Sequence, residues 1–86
     1  MMAEQNLLPR SFWVELLRLY DEFMKTGKTD EETIDMLEKA GLLREGTLIS
    51  QEIMNAFPHL EIKEVEPLAR RGVRDKIVEN LKSSVD

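Results

Sequence analysis

Four of the five aromatic residues of this chain lie within one stretch of twelve positions, and their spacing is helical. With neighbouring Leu and Met side chains they cover an arc of about 160° on a helix that turns about 100° per residue. Charged residues take the opposite side. This pattern predicts a helix from Ser11 to Lys25, with Gly27 as the C-terminal glycine that ends it. So wide an apolar arc has to be packed by other elements on two sides. The aromatic residues are Phe12, Trp13, Tyr20 and Phe23.

A second helix is predicted from Asp30 to Ala40. Thr29 and Glu32 have the spacing of a capping box, in which a hydroxyl and a carboxylate each accept a free backbone N–H. Gly41 then ends the helix. The residues predicted to face inward are Thr33, Ile34, Met36, Leu37 and Ala40.

The third and fourth helices are less sharply bounded. We expect Leu42 and Leu43 to enter the core, residues 44–46 to turn the chain, and Thr47 or Ser50 to cap a helix that reaches Phe57. Ile49, Ile53, Met54 and Phe57 would share one face of it.

Residues 59–66 fit neither strand nor helix periodicity, so they are predicted as a short turn of helix or as an extended segment near 61–65. Pro67 would then occupy the first position of the last helix. The apolar stripe of that helix is Val73, Ile77, Val78 and Leu81.

These patterns predict an all-α fold of four helices in a compact bundle-like or orthogonal array. The 86 residues are enough for one small domain, with flexible ends at 1–8 and 83–86. Without cysteine, neither disulfides nor thiolate metal sites can stabilise it. Helix packing or association with another chain has to provide the stability.

Charge and hydropathy limit the classes of partner. Twelve basic against seventeen acidic side chains give a net charge of −5, which opposes binding to a polyanion. Residues 1–8 lack the pattern of a secretory signal, and no apolar run is long enough to span a membrane. We therefore expect a cytoplasmic protein without membrane contact.

Residues for catalysis or metal binding are sparse. His59 is the only histidine, and it lacks the spacing to a second ligand that metal sites require. Ser11 and Ser50 are better explained as helix caps, and Ser83 and Ser84 as tail. We therefore predict no enzyme activity, no metal site and no cofactor.

Two segments resemble helix-turn-helix proteins, and their charge argues against duplex binding. Residues 37–43 resemble a recognition helix that runs into a wing, and 50–65 resemble two helices joined at a turn. In either register the groove-facing helix would be mainly acidic, so phosphates would repel it.

One basic cluster lies in the second half of the chain, interrupted only by Asp75. It could contact nucleic-acid phosphate or an acidic partner, or it could be a solvated face that pairs with neighbours such as Asp75 and Glu79. A nucleic-acid-binding regulator that uses this cluster is therefore the alternative function. The cluster comprises Arg70, Arg71, Arg74 and Lys76.

Residues 50–62 and 73–81 resemble acyl carrier proteins. That family carries a phosphopantetheine arm on a serine at the start of a helix. Here Ile49-Ser50-Gln51 replaces the family's Asp-Ser-Leu signature, so we expect no arm on Ser50.

The first helix carries the main functional hypothesis. Phe12, Leu16 and Phe23 lie near the middle of its apolar arc and are predicted as core. One flank of the arc could be covered by the later helices or could be left for a partner, since Trp and Tyr are favoured at interfaces. We predict a non-enzymatic protein–protein interaction module, such as a small adaptor, regulatory or assembly subunit, that binds another protein or a copy of itself. The partner-binding flank is Trp13, Leu17, Tyr20 and Met24.

Overall fold

The computed structural model describes residues 8–28 and 30–84, and these residues form four α-helices and no strand. The all-α prediction is confirmed. The predicted flexible ends lie mostly outside the described residues, although Leu8 packs against the core. The helices are α1 (Arg10–Thr26), α2 (Glu31–Lys39), α3 (Leu42–Ala56) and α4 (Ile62–Ser83).

Two glycines set the ends of α1 and α2, as predicted. Gly27 follows α1 with a φ of 74°, and its N–H donates to the Phe23 carbonyl at 2.7 Å. Gly41 lies between α2 and α3 with a φ of 77°. Both adopt the left-handed conformation, which only glycine reaches without a steric penalty.

The cap of α2 is Asp30. Its carboxylate accepts the Thr33 N–H at 2.8 Å and the Thr33 hydroxyl at 2.7 Å. The predicted cap, Thr29, lies outside the described residues. Asp30 satisfies a backbone donor that the first turn of a helix leaves free.

The predicted start of α3 is wrong by more than one turn. Gly41 reverses the chain within one residue, so α3 begins directly at Leu42 and residues 44–46 are helical. Thr47 is no cap, because its hydroxyl donates to the Leu43 carbonyl inside the helix at 3.3 Å. Consecutive residues of a helix point about 100° apart, and Leu42 is accordingly buried while Leu43 is exposed.

The extended segment predicted near 61–65 is also wrong, and the alternative of a helical turn is confirmed. The Glu61 carbonyl accepts the N–H groups of Glu64 and Val65, which starts α4 at Ile62. Pro67 therefore lies inside α4 rather than at its first position. Its missing N–H removes one helical bond to the Lys63 carbonyl, which is tolerable because Lys63 is exposed to water.

The helices pack in a ring. The main contacts join α1 to α2 and α4, and they join α3 to the same two helices. As a result α1 and α3 lie on opposite sides of the ring, and their facing side chains meet only in the middle. The core cluster comprises Trp13, Leu16, Tyr20, Leu37, Ala40, Leu42, Val73 and Ile77.

Glycine also brings α3 and α4 close together. A Cβ added at Gly72 would lie 3.0 Å from Ile49 Cγ2, and one at Gly46 would lie 3.3 Å from Val73 Cγ2. Neither position has room for a larger side chain without movement of its neighbour. The close contact explains why Gly72 is placed inside an otherwise regular helix.

Candidate interaction groove

The structure corrects the predicted orientation of α1. Trp13 is 0% exposed and Tyr20 is 3% exposed, so the other helices cover most of the flank that was predicted to bind a partner. Leu17 and Met24 are partly buried against the same core. The flank as a whole is therefore no free surface. Of the residues predicted as core, Leu16 is fully buried, while Phe12 and Phe23 are only partly buried.

An open apolar groove of about 270 Å³ lies where all four helices meet. Its floor includes the buried side chains of Leu37, Leu42 and Val73, and its mouth includes the exposed side chains of Ile34 and Leu43. It is close in size to the smallest pockets that usually hold ligands. The lining residues are Tyr20, Phe23, Ile34, Leu37, Leu42, Leu43, Gly46, Ser50, Glu66, Ala69, Arg70 and Val73.

The rim on the α1–α4 side is held by one arginine. The Arg70 guanidinium carbon lies 4.8 Å from the centroid of the Phe23 ring, and Arg70 Nη2 lies 3.6 Å from Glu66 Oε2. A guanidinium over an aromatic face is attracted by the ring quadrupole. These two contacts fix Arg70 at the edge of the groove, and Phe23 in turn meets the Tyr20 ring edge-on at 5.4 Å between centroids.

Tyr20 is the polar group on the apolar wall. Burial raises the pKa of Tyr20 to about 12, and the nearby Arg70 charge opposes this rise only in part. The hydroxyl is therefore a neutral hydrogen-bond donor and acceptor at neutral pH. Within the described residues, every fully buried side-chain N or O atom has a hydrogen-bond partner. The Tyr20 hydroxyl is therefore either hydrogen-bonded or in contact with solvent.

Further exposed apolar residues lie at the far end of α3 and the start of α4. Met54 is on the same side of α3 as Leu43, Phe57 is the C-terminal cap of α3, and Ile62 is the first residue of α4. All four side chains are exposed, and the exposed fraction is 50% for Phe57 and 66% for Ile62. We call the groove and these four residues the apolar face.

Three members of the basic cluster, Arg70, Arg71 and Arg74, lie on one side of α4, and Lys76 lies on another side. Arg74 Nε donates to Asp21 Oδ1 at 2.7 Å, which joins α4 to α1, and Arg70 is held by Glu66 and Phe23. Arg71 and Lys76 are exposed, but they lie five positions apart and so point in different directions around α4. Of these four side chains, Arg70 and Arg74 are thus engaged in contacts with α1.

The remaining polar candidates are scattered. Ser50 lies in the third turn of α3 and lines the groove, so it does not start a helix as the resemblance to carrier proteins requires. His59 is exposed and meets the Phe57 ring edge-on, with 6.3 Å between centroids. The described part of the chain contains no group of three or more side chains that could hold a metal ion.

Sequence reasoning missed the groove because its mouth consists of residues predicted as core. Ile34 and Leu43 fit the apolar stripes of their helices, yet they are 39% and 42% exposed. One signal was present: Leu42 and Leu43 are adjacent, and two neighbours on one helix point about 100° apart, so only one of them can lie at the centre of the buried side. Of the residues predicted to share one face of α3, Ile49 and Ile53 are partly buried, whereas Met54 and Phe57 are exposed.

Comparisons of the chain with protein-family models, with curated proteins and with solved structures give no match. None of the helices in residues 8–28 and 30–84 is both long and apolar enough to cross a membrane.

Proposed function

We propose that this chain is a non-enzymatic protein–protein interaction module and that its binding site is the apolar face. The observation that supports this proposal is the open groove, which is lined mainly by apolar side chains and whose mouth exposes Ile34 and Leu43. Scattered apolar residues are normal on a protein surface, but a concave and mainly apolar groove is typical of binding sites. A small adaptor, regulatory or assembly subunit would use such a surface.

The dimensions of the face suit a helix. From Leu43 to Met54 the face runs along eleven residue steps of α3, which is about 16 Å at 1.5 Å per residue, and Phe57 follows at the C-terminal cap. An amphipathic helix of about four turns would lay its apolar residues along this line, as in other helix-in-groove complexes. Its large side chains would enter the groove between Ile34 and Leu43.

The chemistry of the lining supports binding rather than catalysis. The walls are mainly aliphatic and aromatic, and the charged groups at the edge, Glu66 and Arg70, already pair with each other. Tyr20 is a protonated phenol at neutral pH, and burial raises its pKa further, so it offers a hydrogen bond and not a base. The partner is another protein or a second copy of this chain.

Two leucines on α3 give a matched test. Leu43 is 42% exposed at the mouth of the groove, and Leu48 is 47% exposed on the opposite side of the same helix. A photo-crosslinking amino acid is placed at 43 or at 48, and the chain is expressed in the cells from which it comes. Because only position 43 lies on the apolar face, we expect a discrete adduct from 43 alone. Mass spectrometry then identifies the attached chain.

The adduct also separates the two kinds of partner. An adduct of twice the mass of this chain identifies a second copy, and any other mass identifies a different protein. No adduct at 43, or the same adducts from 43 and 48, would contradict the proposal.

A further inference from the structure

We propose that the segment that binds the apolar face is a cationic amphipathic helix of another protein, with Lys or Arg residues along one edge of its apolar side. This inference rests on the proposed function and adds the charge of the partner. It is based on the acidic groups that border the groove on α2 and α4.

The α2 border of the groove is acidic. Ile34 lines the mouth, and Glu31 and Glu38 lie three residues before it and four residues after it. Residues at these spacings are neighbours on one side of a helix, so both carboxylates lie beside Ile34. Both are exposed, and neither forms an ion pair within the described residues. Lys39, the only basic residue of α2, lies on another side of that helix.

The other borders do not compensate this charge. On α4, Glu66 lines the groove and its carboxylate lies near Arg70, whose guanidinium also contacts the Phe23 ring. The residues that line the groove from α3 and from α1 are all uncharged. The border therefore has a net negative charge, formed by two unpaired glutamates and one neutralised pair.

This charge selects among helices that fit the apolar face. A helix with basic residues beside its apolar side places them against Glu31 and Glu38, whereas acidic residues there are repelled. Because these carboxylates are exposed, the attraction should weaken as salt shortens the screening length. A second copy of this chain, which also carries a net charge of −5, lacks the required sign.

The test uses two synthetic peptides of about 16 residues, enough for about four helical turns. Both carry the same row of leucines at positions i, i+3, i+4 and i+7, and the flanking residues are lysine in one and glutamate in the other. Binding to the complete chain is measured by fluorescence anisotropy of the labelled peptide. We expect the lysine peptide to bind at least about tenfold more tightly at low salt, and we expect the preference to shrink at high salt.

Two pairs of variants locate the effect. Glu31→Lys with Glu38→Lys should abolish the preference for the lysine peptide. The control, Glu52→Lys with Glu79→Lys, changes the net charge equally on exposed positions outside the groove lining and should keep the preference. Leu43→Asp should abolish binding of the lysine peptide even though it adds negative charge. Circular dichroism shows whether each variant is folded.

Each of the following outcomes would contradict the charge inference. If both peptides bind equally and Leu43→Asp blocks both, the charge inference is wrong while the proposed function stands. If both charge-changed pairs weaken the lysine peptide to the same extent, or if Leu43→Asp binds it normally, the attraction is general and the inference is overturned. Binding of neither peptide also overturns it, and the crosslinks from positions 43 and 48 then decide the proposed function separately.

Discussion

The two ends of α1 pack very differently. Around Trp13 and Leu16 the core is sealed, and both side chains have no exposed surface. Two turns later, Tyr20 and Phe23 form one wall of a groove that reaches the exposed side chain of Leu43. The same aromatic helix thus stabilises the fold at one end and lines a candidate binding surface at the other. An excess of aromatic residues on one helix does not by itself show which of its residues are available to a partner.

The largest effect should come from the sealed end. Trp13→Ala removes a fully buried indole, and changes of this kind cost about 3 to 5 kcal/mol in the free energy of unfolding. Leu43→Ala at the open end should change it by about 0.5 kcal/mol or less, as expected for an exposed residue. Urea denaturation followed by circular dichroism measures both. Similar values for the two variants would contradict the contrast between the ends.

The second effect concerns Tyr20, the only tyrosine of the chain, which lies between the two regions. Its pKa is about 12 when folded because burial disfavours the phenolate, against 10.0 for an exposed tyrosine. The folded state thus favours the neutral phenol. Its contribution, on the order of 2 kcal/mol, is complete below pH 10 and is lost as the pH rises towards 12.

The tyrosinate absorbance near 295 nm should therefore rise at higher pH in the folded chain than in urea. Tyr20→Phe, which keeps the ring, should reduce the alkaline loss of stability. A folded chain that titrates like the unfolded one would show that Tyr20 is more open to water than its burial implies.

The third effect tests the close contact between α3 and α4 at Gly72. Gly72→Ala should gain about 1 kcal/mol in helix propensity but lose more, because the new methyl group meets Ile49 at 3.0 Å. We expect a net loss of about 1 kcal/mol in the free energy of unfolding. In an Ile49→Ala background the obstructing atoms are gone, so the same change should stabilise the chain. An equal effect in both backgrounds would refute the close contact.

The smallest effect concerns the cap of α2, the helix that carries the acidic border. Hydrogen bonds from Thr33 lower the pKa of Asp30, so the folded state favours the carboxylate. This stabilisation is present above the pKa of the unfolded aspartate, near 4, and is lost as the pH falls through the lower folded value.

Asp30→Ala should lower Tm at pH 7 by more than Asp30→Asn, because asparagine also caps helices. In the Asn variant the cap should no longer respond to acid. Thermal unfolding at pH 7 and pH 3 measures both effects. Equal Tm values for the Ala and Asn variants would show that Asp30 does not act as a cap.

Local signals predicted much of the fold. Gly27 and Gly41 marked the ends of α1 and α2, because a left-handed glycine is a property of a single position. The predicted start of α3 was wrong because Gly41 alone reverses the chain. No further turn is needed at residues 44–46, which are helical. The prediction that Pro67 begins the last helix was also wrong, because α4 begins about one turn earlier and accommodates the proline inside it.

The candidate site could not be predicted, because it depends on how all four helices pack together. From sequence, the two edges of the apolar arc on α1 are equivalent, and only the positions of α2 and α4 determine that Trp13 is buried. The groove likewise exists only where Tyr20, Ile34, Leu43 and Arg70 come together from four separate helices. Helical periodicity specifies the face of one helix but not its neighbours.

The contrast between the sealed and the open end is tested most directly by an NMR titration of the isotope-labelled chain with the lysine-flanked peptide. Our account predicts saturable shifts of amide and methyl signals at Ile34, Leu43 and Phe57, with little change at Leu16 and Leu48. The absence of saturable shifts would overturn the inference of a cationic partner, and shifts centred on Val14 or Leu48 would contradict the claim that the apolar face is the binding surface of this protein.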